Sequence, residues 1–111
     1  MINFEPIRSR RNARIKQVAK IVSSSKARRE AKLTVVDGVN FICDYIKKFG
    51  QPVELYIDET KLERVREVLT LAVHYQLVSS EVMQVISPVK TSSGALAVVK
   101  IPSETLFETC D

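Results

Sequence analysis

The segment from Ala95 to Ile101, which reads ALAVVKI, constrains the fold of this chain more than any other stretch. Six of its seven residues are apolar, and apolar residues do not alternate with polar ones along the segment. An apolar run of this length is typical of a strand that is buried on both faces of a sheet. A strand of this kind needs helices on each side, so the rest of the chain must supply two helical layers.

Apolar residues at helical spacing predict the helices that form these layers. Asn12 is placed to cap the first helix, and Ser25 is placed to cap a short helical turn after the serines at 23–25. Thr60 and Glu63 form a capping box for a later helix, and Ser79 or Ser80 caps the last one. The residues predicted to face the core are Ile15, Val18, Ala19, Val22, Ile42, Tyr45, Ile46, Phe49, Leu62, Val65, Leu69, Ala72, Val73, Val82, Met83 and Ile86.

Three further strands are predicted between these helices. They are Leu33 to Val36, which leads into the turn Asp37-Gly38, then Val53 to Ile57, and the short pair Leu77-Val78. Alternation of strands with helices predicts the α/β class, here a three-layer α/β/α sandwich with a mixed, mostly parallel sheet. The 111 residues suit one domain, with a basic helical segment at 1–32, an α/β body at 33–102 and a tail or linker at 103–111.

Positive charge is concentrated at one end of the chain. Arg8 to Lys32 carries ten lysines and arginines and one acid, Glu30, which gives +9, although the whole chain has a net charge of only +4. Such a block favours a polyanionic partner, above all nucleic acid. Two alternatives stay open: a basic helix that is merely solvated, and an organellar transit peptide, since the segment through Arg29 is rich in arginine and serine.

The same composition argues against several other classes of protein. No apolar run is long enough to cross a bilayer, and no secretory h-region follows Met1, so we expect a cytoplasmic chain without a membrane partner. Cys43 and Cys110 belong to no CxxC pair, and no metal site is predicted. His74 ends a predicted helix, and no catalytic Ser/His/Asp or Cys/His set is found, so no catalytic residue is assigned.

Four motifs in order give the chain a resemblance to a known family. They are Ile7-x-Ser9-x-x-Asn12-x-x-Ile15-Lys16, then Lys26-x-Arg28, then Leu33-x-Val35-Val36-Asp37-Gly38, and last Thr91-x-x-Gly94-x-Leu96-Ala97-Val98-Val99. Together they resemble the N-terminal substrate-binding domain of SpoU/TrmH-type RNA 2′-O-ribose methyltransferases. The resemblance extends over nearly the whole chain.

The resemblance implies a fold like that of the kink-turn-binding ribosomal proteins and a role in gripping RNA. In the family a separate C-terminal domain binds S-adenosylmethionine and carries the catalytic motif, which would be expected soon after Pro102. We therefore expect no cofactor and no catalysis in this chain. Two positions depart from the family pattern, Asp37 in place of glutamate and Asn40 in place of a frequent basic residue, and the second weakens an implied phosphate contact.

The predicted partner is structured RNA, either rRNA or tRNA, bound mainly through its phosphates. The candidate RNA-binding residues combine the basic segment with two turns, and they are Arg8, Ser9, Arg10, Arg11, Asn12, Arg14, Lys16, Lys20, Lys26, Arg28, Arg29, Gly38, Asn40, Thr91, Ser92, Ser93 and Gly94. Arg28 and Arg29 are expected to contact phosphates without supporting the fold.

The alternatives to a methyltransferase domain are a stand-alone RNA-binding protein of the kink-turn type and a basic module that docks an acidic protein. The isolated chain is expected to be monomeric, and a full-length parent dimeric through the missing domain.

Overall fold

The computed structural model describes residues 5–89 and 92–101. The predicted tail at 103–111, together with Thr91, Pro102 and Cys110, lies outside these residues. The elements in chain order are α1 (Ala13–Ser23), α2 (Ser25–Ala31), β1 (Leu33–Asp37), α3 (Val39–Phe49), β2 (Glu54–Asp58), a 3-10 turn (Glu59–Lys61), α4 (Arg66–Leu71), β3 (Gln76–Val78), α5 (Ser80–Ile86) and β4 (Ala95–Lys100).

The four strands form one sheet in the order β1-β4-β2-β3, and helices cover both of its faces. β4 is central, and its side chains alternate between two cores. Ala95, Ala97 and Val99 join the core made with α3 and α4. Leu96 and Val98 join the core made with α1 and α5. The predicted α/β class, with an apolar strand covered on both faces, is confirmed.

The prediction that strand neighbours are mostly parallel is wrong. β2 and β3 pair in parallel, but β4 is antiparallel to both of its neighbours, β1 and β2. The reason lies in α5, which is only seven residues long and spans about 10 Å at 1.5 Å per residue. It starts where β3 ends, and the Ser87 hydroxyl just after it donates a 2.9 Å hydrogen bond to Asp37 at the end of β1. The helix therefore stays at the end of the sheet where β1 and β3 finish, and β4 starts at that same end.

Helix starts follow the local capping chemistry. The Asn12 side chain accepts hydrogen bonds from the backbone N–H groups of Arg14 and Ile15, so the predicted cap of α1 is confirmed. Ser79 caps α5 through the N–H of Val82. The second helix is capped one residue earlier than predicted, because the hydroxyl of Ser24 accepts from the N–H of Ala27. A side-chain oxygen just before the helix accepts from a backbone N–H two or three residues further on, which the helix itself leaves unpaired.

The predicted capping box at Thr60 and Glu63 is wrong. Asp58 caps the 3-10 turn instead, since its carboxylate accepts from both the N–H and the hydroxyl of Thr60. The following helix starts only at Arg66, so Leu62 lies outside it and is 39% exposed. The buried carboxylate at the end of β2 competes for the donors that a box would have used.

Two helical faces are also rotated relative to the prediction. In α3 the buried residues are Ile42, Cys43 and Ile46, whereas Phe49 is 65% exposed. Val73, just beyond α4, is 58% exposed because the helix ends at Leu71. Both segments carry more apolar residues than one core-facing stripe can use, so the spacing could not identify which of them are left outside.

Gly94 is expected to be far less tolerant of a side chain than Gly50. Both have positive φ, +105° and +96°, but a Cβ on Gly94 would lie 2.8 Å from Cβ of Lys61, whereas nothing lies within 4 Å at Gly50. Each alanine costs about 1–3 kcal/mol in backbone strain, and overpacking adds about 1–3 kcal/mol at Gly94. Chemical denaturation should show the larger loss of unfolding free energy for Gly94→Ala. Equal losses in Gly94→Ala and Gly50→Ala would contradict the packing argument.

Candidate nucleic-acid interface

The two predicted turns lie at the same end of the strands. We call this end of the sheet the rim, and it comprises residues 38–40, 92–94, 58–61 and 79–80. The strand order places these segments side by side, from the end of β1 through the start of β4 to the ends of β2 and β3. Because neighbouring strands are about 4.8 Å apart, the whole rim is about 15 Å wide. Turns that are more than fifty residues apart in the sequence are therefore neighbours.

The turn at Gly38 is bonded directly to the start of β4. Its N–H donates to the carbonyl of Ala95 at 3.3 Å, and its carbonyl accepts from the N–H of Ile42, in the first turn of α3. The φ of +112° explains the glycine. The backbone N–H of Gly38 is therefore used within the fold. Asn40, in the first turn of α3, is exposed at the rim.

The second turn is held together by its own serine. The buried hydroxyl of Ser92 accepts from the N–H of Gly94 at 3.0 Å, and its carbonyl accepts from Nζ of Lys61 at 2.9 Å. The hydroxyl oxygen of Ser93 is buried and has no hydrogen-bond partner among the described residues. Ser92 thus shapes the turn, whereas Ser93 retains hydrogen-bonding capacity.

A polar pocket of about 440 Å³ opens at the rim beside this turn. It is lined by Asp58, Lys61, Arg64, Ser80, Met83, Gln84, Ser92 and Ser93. Asp58 is 2% exposed, and its carboxylate accepts from Ser80 as well as Thr60. The sequence analysis missed Lys61 and Arg64, since only the fold places these two cations next to the second turn, and no local signal identifies them.

The cations predicted from the N-terminal segment lie on α1, α2 and the residues just before them, which we call the basic layer (residues 8–32). Six of these side chains are exposed and have no hydrogen bond or ion pair within the part of the chain that the structure describes. They are Arg10, Arg11, Lys16, Lys20, Lys26 and Arg29. These six are free to meet an anion.

Two arginines of the basic layer are already neutralised. Arg8 forms a two-pronged ion pair with Glu59, at 2.7 and 3.1 Å, which ties the layer to the rim. Arg14 lies 3.3 Å from the carboxylate of Glu54, and its guanidinium carbon lies 5.6 Å from the ring centre of Tyr56. Burial, followed by the hydrogen bond to Glu54, raises the pKa of Tyr56, so the phenol stays protonated.

Arg28 supports the fold. One nitrogen of its guanidinium donates to the carbonyls of Ile21 and Val22 at 2.8 and 3.0 Å, so this cation caps the carboxyl end of α1. Ser9 and Asn12 likewise use their side-chain oxygens on local backbone N–H groups. The prediction that Arg28 contributes nothing to stability does not agree with these contacts.

Asp37 is an acidic group at the end of β1, next to the first rim turn. Burial raises the pKa of its carboxyl group, and the hydrogen bond from Ser87 lowers it by less. This carboxylate has no ion pair among the described residues, and its charge works against an anionic ligand at the turn.

Other kinds of site find no support among the described residues. No group of three or more His, Cys, Asp and Glu side chains in 5–89 and 92–101 could hold a metal ion. Within the same ranges no helix is long and apolar enough to cross a membrane. His74 is exposed after α4.

Comparisons with known proteins identify a matching family model and several solved structures with a similar fold. The family model of the MRM3-like substrate binding domain matches residues 12–97. A search of curated protein sequences finds no match. Among solved structures, a crystal structure of an RNA 2′-O ribose methyltransferase superposes with a TM-score of 0.79 at 22% identity, covering 92% of this chain and 40% of that one.

Two further structures show the same arrangement. An rRNA methyltransferase from Sinorhizobium meliloti has a TM-score of 0.69 at 14% identity and covers 91% of this chain and 38% of its own. The SpoU methyltransferase AviRb from Streptomyces viridochromogenes, in complex with AdoMet, has a TM-score of 0.67 at 21% identity, with coverage of 87% and 36%. The chain thus shares the fold of one part of these proteins and spans well under half of their length.

Arg28→Ala should destabilise the protein, whereas Arg29→Ala should not. Loss of the charged cap at the end of α1 is expected to cost about 1–2 kcal/mol, and Arg29 is an exposed neighbour with the same charge and no partner among the described residues. Thermal unfolding of the two single variants is the measurement. Equal melting temperatures would show that the Arg28 hydrogen bonds carry no stability.

Asp37→Asn should raise the melting temperature at neutral pH by an amount that shrinks as the solution is acidified. Because the folded-state pKa of Asp37 is raised, its contribution to stability is fully present below the unfolded value of about 3.9 and is lost as pH rises through the folded value. Melting curves between about pH 3 and pH 8 test this, with Glu63→Gln at an exposed carboxylate as control. A difference that does not vary with pH would contradict the burial of the charge.

Proposed function

Because this chain belongs to the MRM3-like substrate binding domain family, we propose that it grips structured RNA, rRNA or tRNA, on behalf of a methyltransferase that modifies ribose 2′-hydroxyls. The RNA backbone lies along the basic layer and reaches the rim. The chain contributes binding, and the methyl transfer takes place on another part of the parent protein.

The observation that carries this proposal is the set of six exposed cations on α1, α2 and the residues just before them, none with a hydrogen bond or ion pair among the described residues. Opposite charges inside the fold already neutralise Arg8 and Arg14, yet these six side chains form no ion pair among the described residues, although Glu30 lines the same pocket as Lys16 and Lys20. Cations that contact phosphates release counterions on binding. Phosphate contacts position an RNA without reading its sequence, as a domain that only grips its substrate requires.

The rim supplies a second class of contact. The polar pocket next to Ser93 has hydroxyl, amide and carboxylate groups, together with Lys61 and Arg64. Arg8 joins the rim to the basic layer through Glu59, so an RNA that follows the layer arrives beside this pocket. Aromatic residues are scarce, at 6% of the chain, so base stacking contributes less than phosphate binding.

The cofactor of the parent enzyme is held by another segment in this proposal. Gly38, Gly50 and Gly94 are far apart in the sequence and serve separate turns, so they form no glycine-rich loop for a nucleotide-like cofactor. The rim pocket carries Lys61 and Arg64, whose charges disfavour a sulfonium ion. Similarity to 36–40% of the longer methyltransferase chains supports the same division of labour.

Removing two cations from the basic layer should weaken RNA binding, whereas removing two from the opposite face should not. Lys16→Gln/Lys20→Gln changes α1, and Lys47→Gln/Arg66→Gln changes α3 and α4 by the same net charge. The first double variant should bind a tRNA transcript and an rRNA hairpin about tenfold more weakly, with a salt slope lower by about one per lost contact. Filter binding or fluorescence anisotropy across a salt series measures both quantities.

The same titration separates the proposal from a basic module that docks an acidic protein. Equal losses in the two double variants would mean that only total charge matters, and an RNA affinity independent of salt would exclude phosphate binding. A stand-alone RNA-binding protein would give the same result for this chain, and it differs in having no methyltransferase domain joined to it.

A further inference from the structure

β1 lies at the edge of the sheet and pairs with β4 on one side only. Among the described residues no strand pairs with its other edge. Edge strands normally carry charges, bulges or covering elements that prevent pairing with another chain. β1 reads LTVVD, and only its last residue is charged. Within residues 5–89 and 92–101, the edge is therefore open to a further strand.

The register of β1 identifies which backbone groups face outward. Gly38 donates to Ala95, and Lys32 accepts from Ile101, so even-numbered residues of β1 exchange hydrogen bonds with β4. Antiparallel pairing alternates along a strand, so the N–H and C=O groups of Leu33, Val35 and Asp37 point to the free edge. The outward N–H and C=O groups thus belong to three residues spaced evenly about Val35, so the edge can pair with a second copy of itself in the reverse direction.

An apolar groove of about 430 Å³ runs between this edge and α3. Three aromatic residues of α3 flank it at a spacing of four, with Phe41 70% exposed and Phe49 65% exposed. The ring centres of Tyr45 and Phe49 are 5.1 Å apart. Two large aromatic side chains exposed beside an unpaired strand edge favour an interaction surface.

The groove is also self-complementary in charge. Asp44 and Lys48 both line it, one turn apart on α3. A two-fold axis that reverses α3 places Asp44 of one copy towards Lys48 of the other, and the reverse pair forms at the same time. The same axis brings Lys32, at the start of β1, towards Asp37 of the second copy. Two copies of the chain therefore supply both members of each charge pair at this interface.

We propose that a second copy of this chain occupies the groove, with β1 pairing antiparallel to β1 of its partner about a two-fold axis at Val35. Val35 then faces Val35 of the other copy, and Leu33 faces Asp37. The aromatic stripe has its midpoint at Tyr45, so Phe41 of one copy meets Phe49 of the other. The two sheets become one continuous eight-stranded sheet, and this proposal differs from the expectation of a monomer.

This arrangement bears on the basic layer. An axis perpendicular to the sheet keeps the same face of both copies on the same side, so both basic layers lie on one side of the joined sheet. Their mutual repulsion opposes the dimer at low ionic strength. The dimer should therefore tighten with moderate salt or with bound RNA, and it would offer an RNA two adjacent basic surfaces.

Cysteine cross-linking tests the register. In a Cys110→Ser background, Val35→Cys should form a disulfide with its own copy under mild oxidation, since paired Cα atoms lie about 5.5 Å apart. Burial raises the pKa of Cys43, which keeps this native thiol unreactive. Val36→Cys is the matched control, because in the same register it faces Thr34 and lies beyond bridging distance from its own copy. A cross-link at Val36 and none at Val35 would overturn the proposal.

Charge exchange on α3 tests the interface without oxidation. Asp44→Lys and Lys48→Asp should each weaken the dimer about tenfold in sedimentation equilibrium, and the double variant should restore it. Both positions are exposed on a helix, so folding is retained. A full chain that stays monomeric at high concentration in moderate salt overturns the dimer but leaves RNA binding intact, so the two proposals fail separately.

Discussion

The insertion of β4 between β1 and β2 is the constraint on which the rest of the structure depends. Its ladder hydrogen bonds satisfy strands on both sides, and its alternate side chains close two separate cores. Without β4, β1 would have no partner among the described strands, and the helix layers would lose the surface that joins them. A strand in which five of six residues are apolar and buried serves this purpose in the centre of a sheet, where helices cover both faces and strands pair with both edges.

The direction of β4 decides where the candidate interface lies. A strand entering from the rim brings the turn at residues 92–94 against Gly38 on one side and Asp58 on the other. Lys61 reaches across to the carbonyl of Ser92 because of this entry point. A parallel β4 would have started at the opposite end of the sheet, and neither the pocket nor the adjacency of the two turns would exist.

Electrostatics in the basic layer separate cations that support the fold from those that face outward. Arg8, Arg14 and Arg28 are each bound to acids or carbonyl groups within the chain. The remaining exposed cations have no such partners among the described residues. Only part of the charge of the +9 segment is therefore available to bind an anion. The other part holds α1 and its neighbours in position. The anchored arginines give the free cations a rigid platform.

The sequence by itself determined the α/β class, the buried β4, the cap at Asn12, a serine cap at 79 or 80 for the last helix, and the concentration of charge, because these depend on local spacing and composition. The family resemblance also followed from short motifs in order. Only the tertiary structure decided the direction of β4, the bonding of Arg28 to α1, and the position of Lys61 and Arg64 at the rim. These features depend on residues that are far apart in the sequence. The packing of the short α5 and of the buried Asp58 contributes to bringing such residues together. No local pattern encodes such packing, since the free energy that selects it comes from burial shared across the whole sheet.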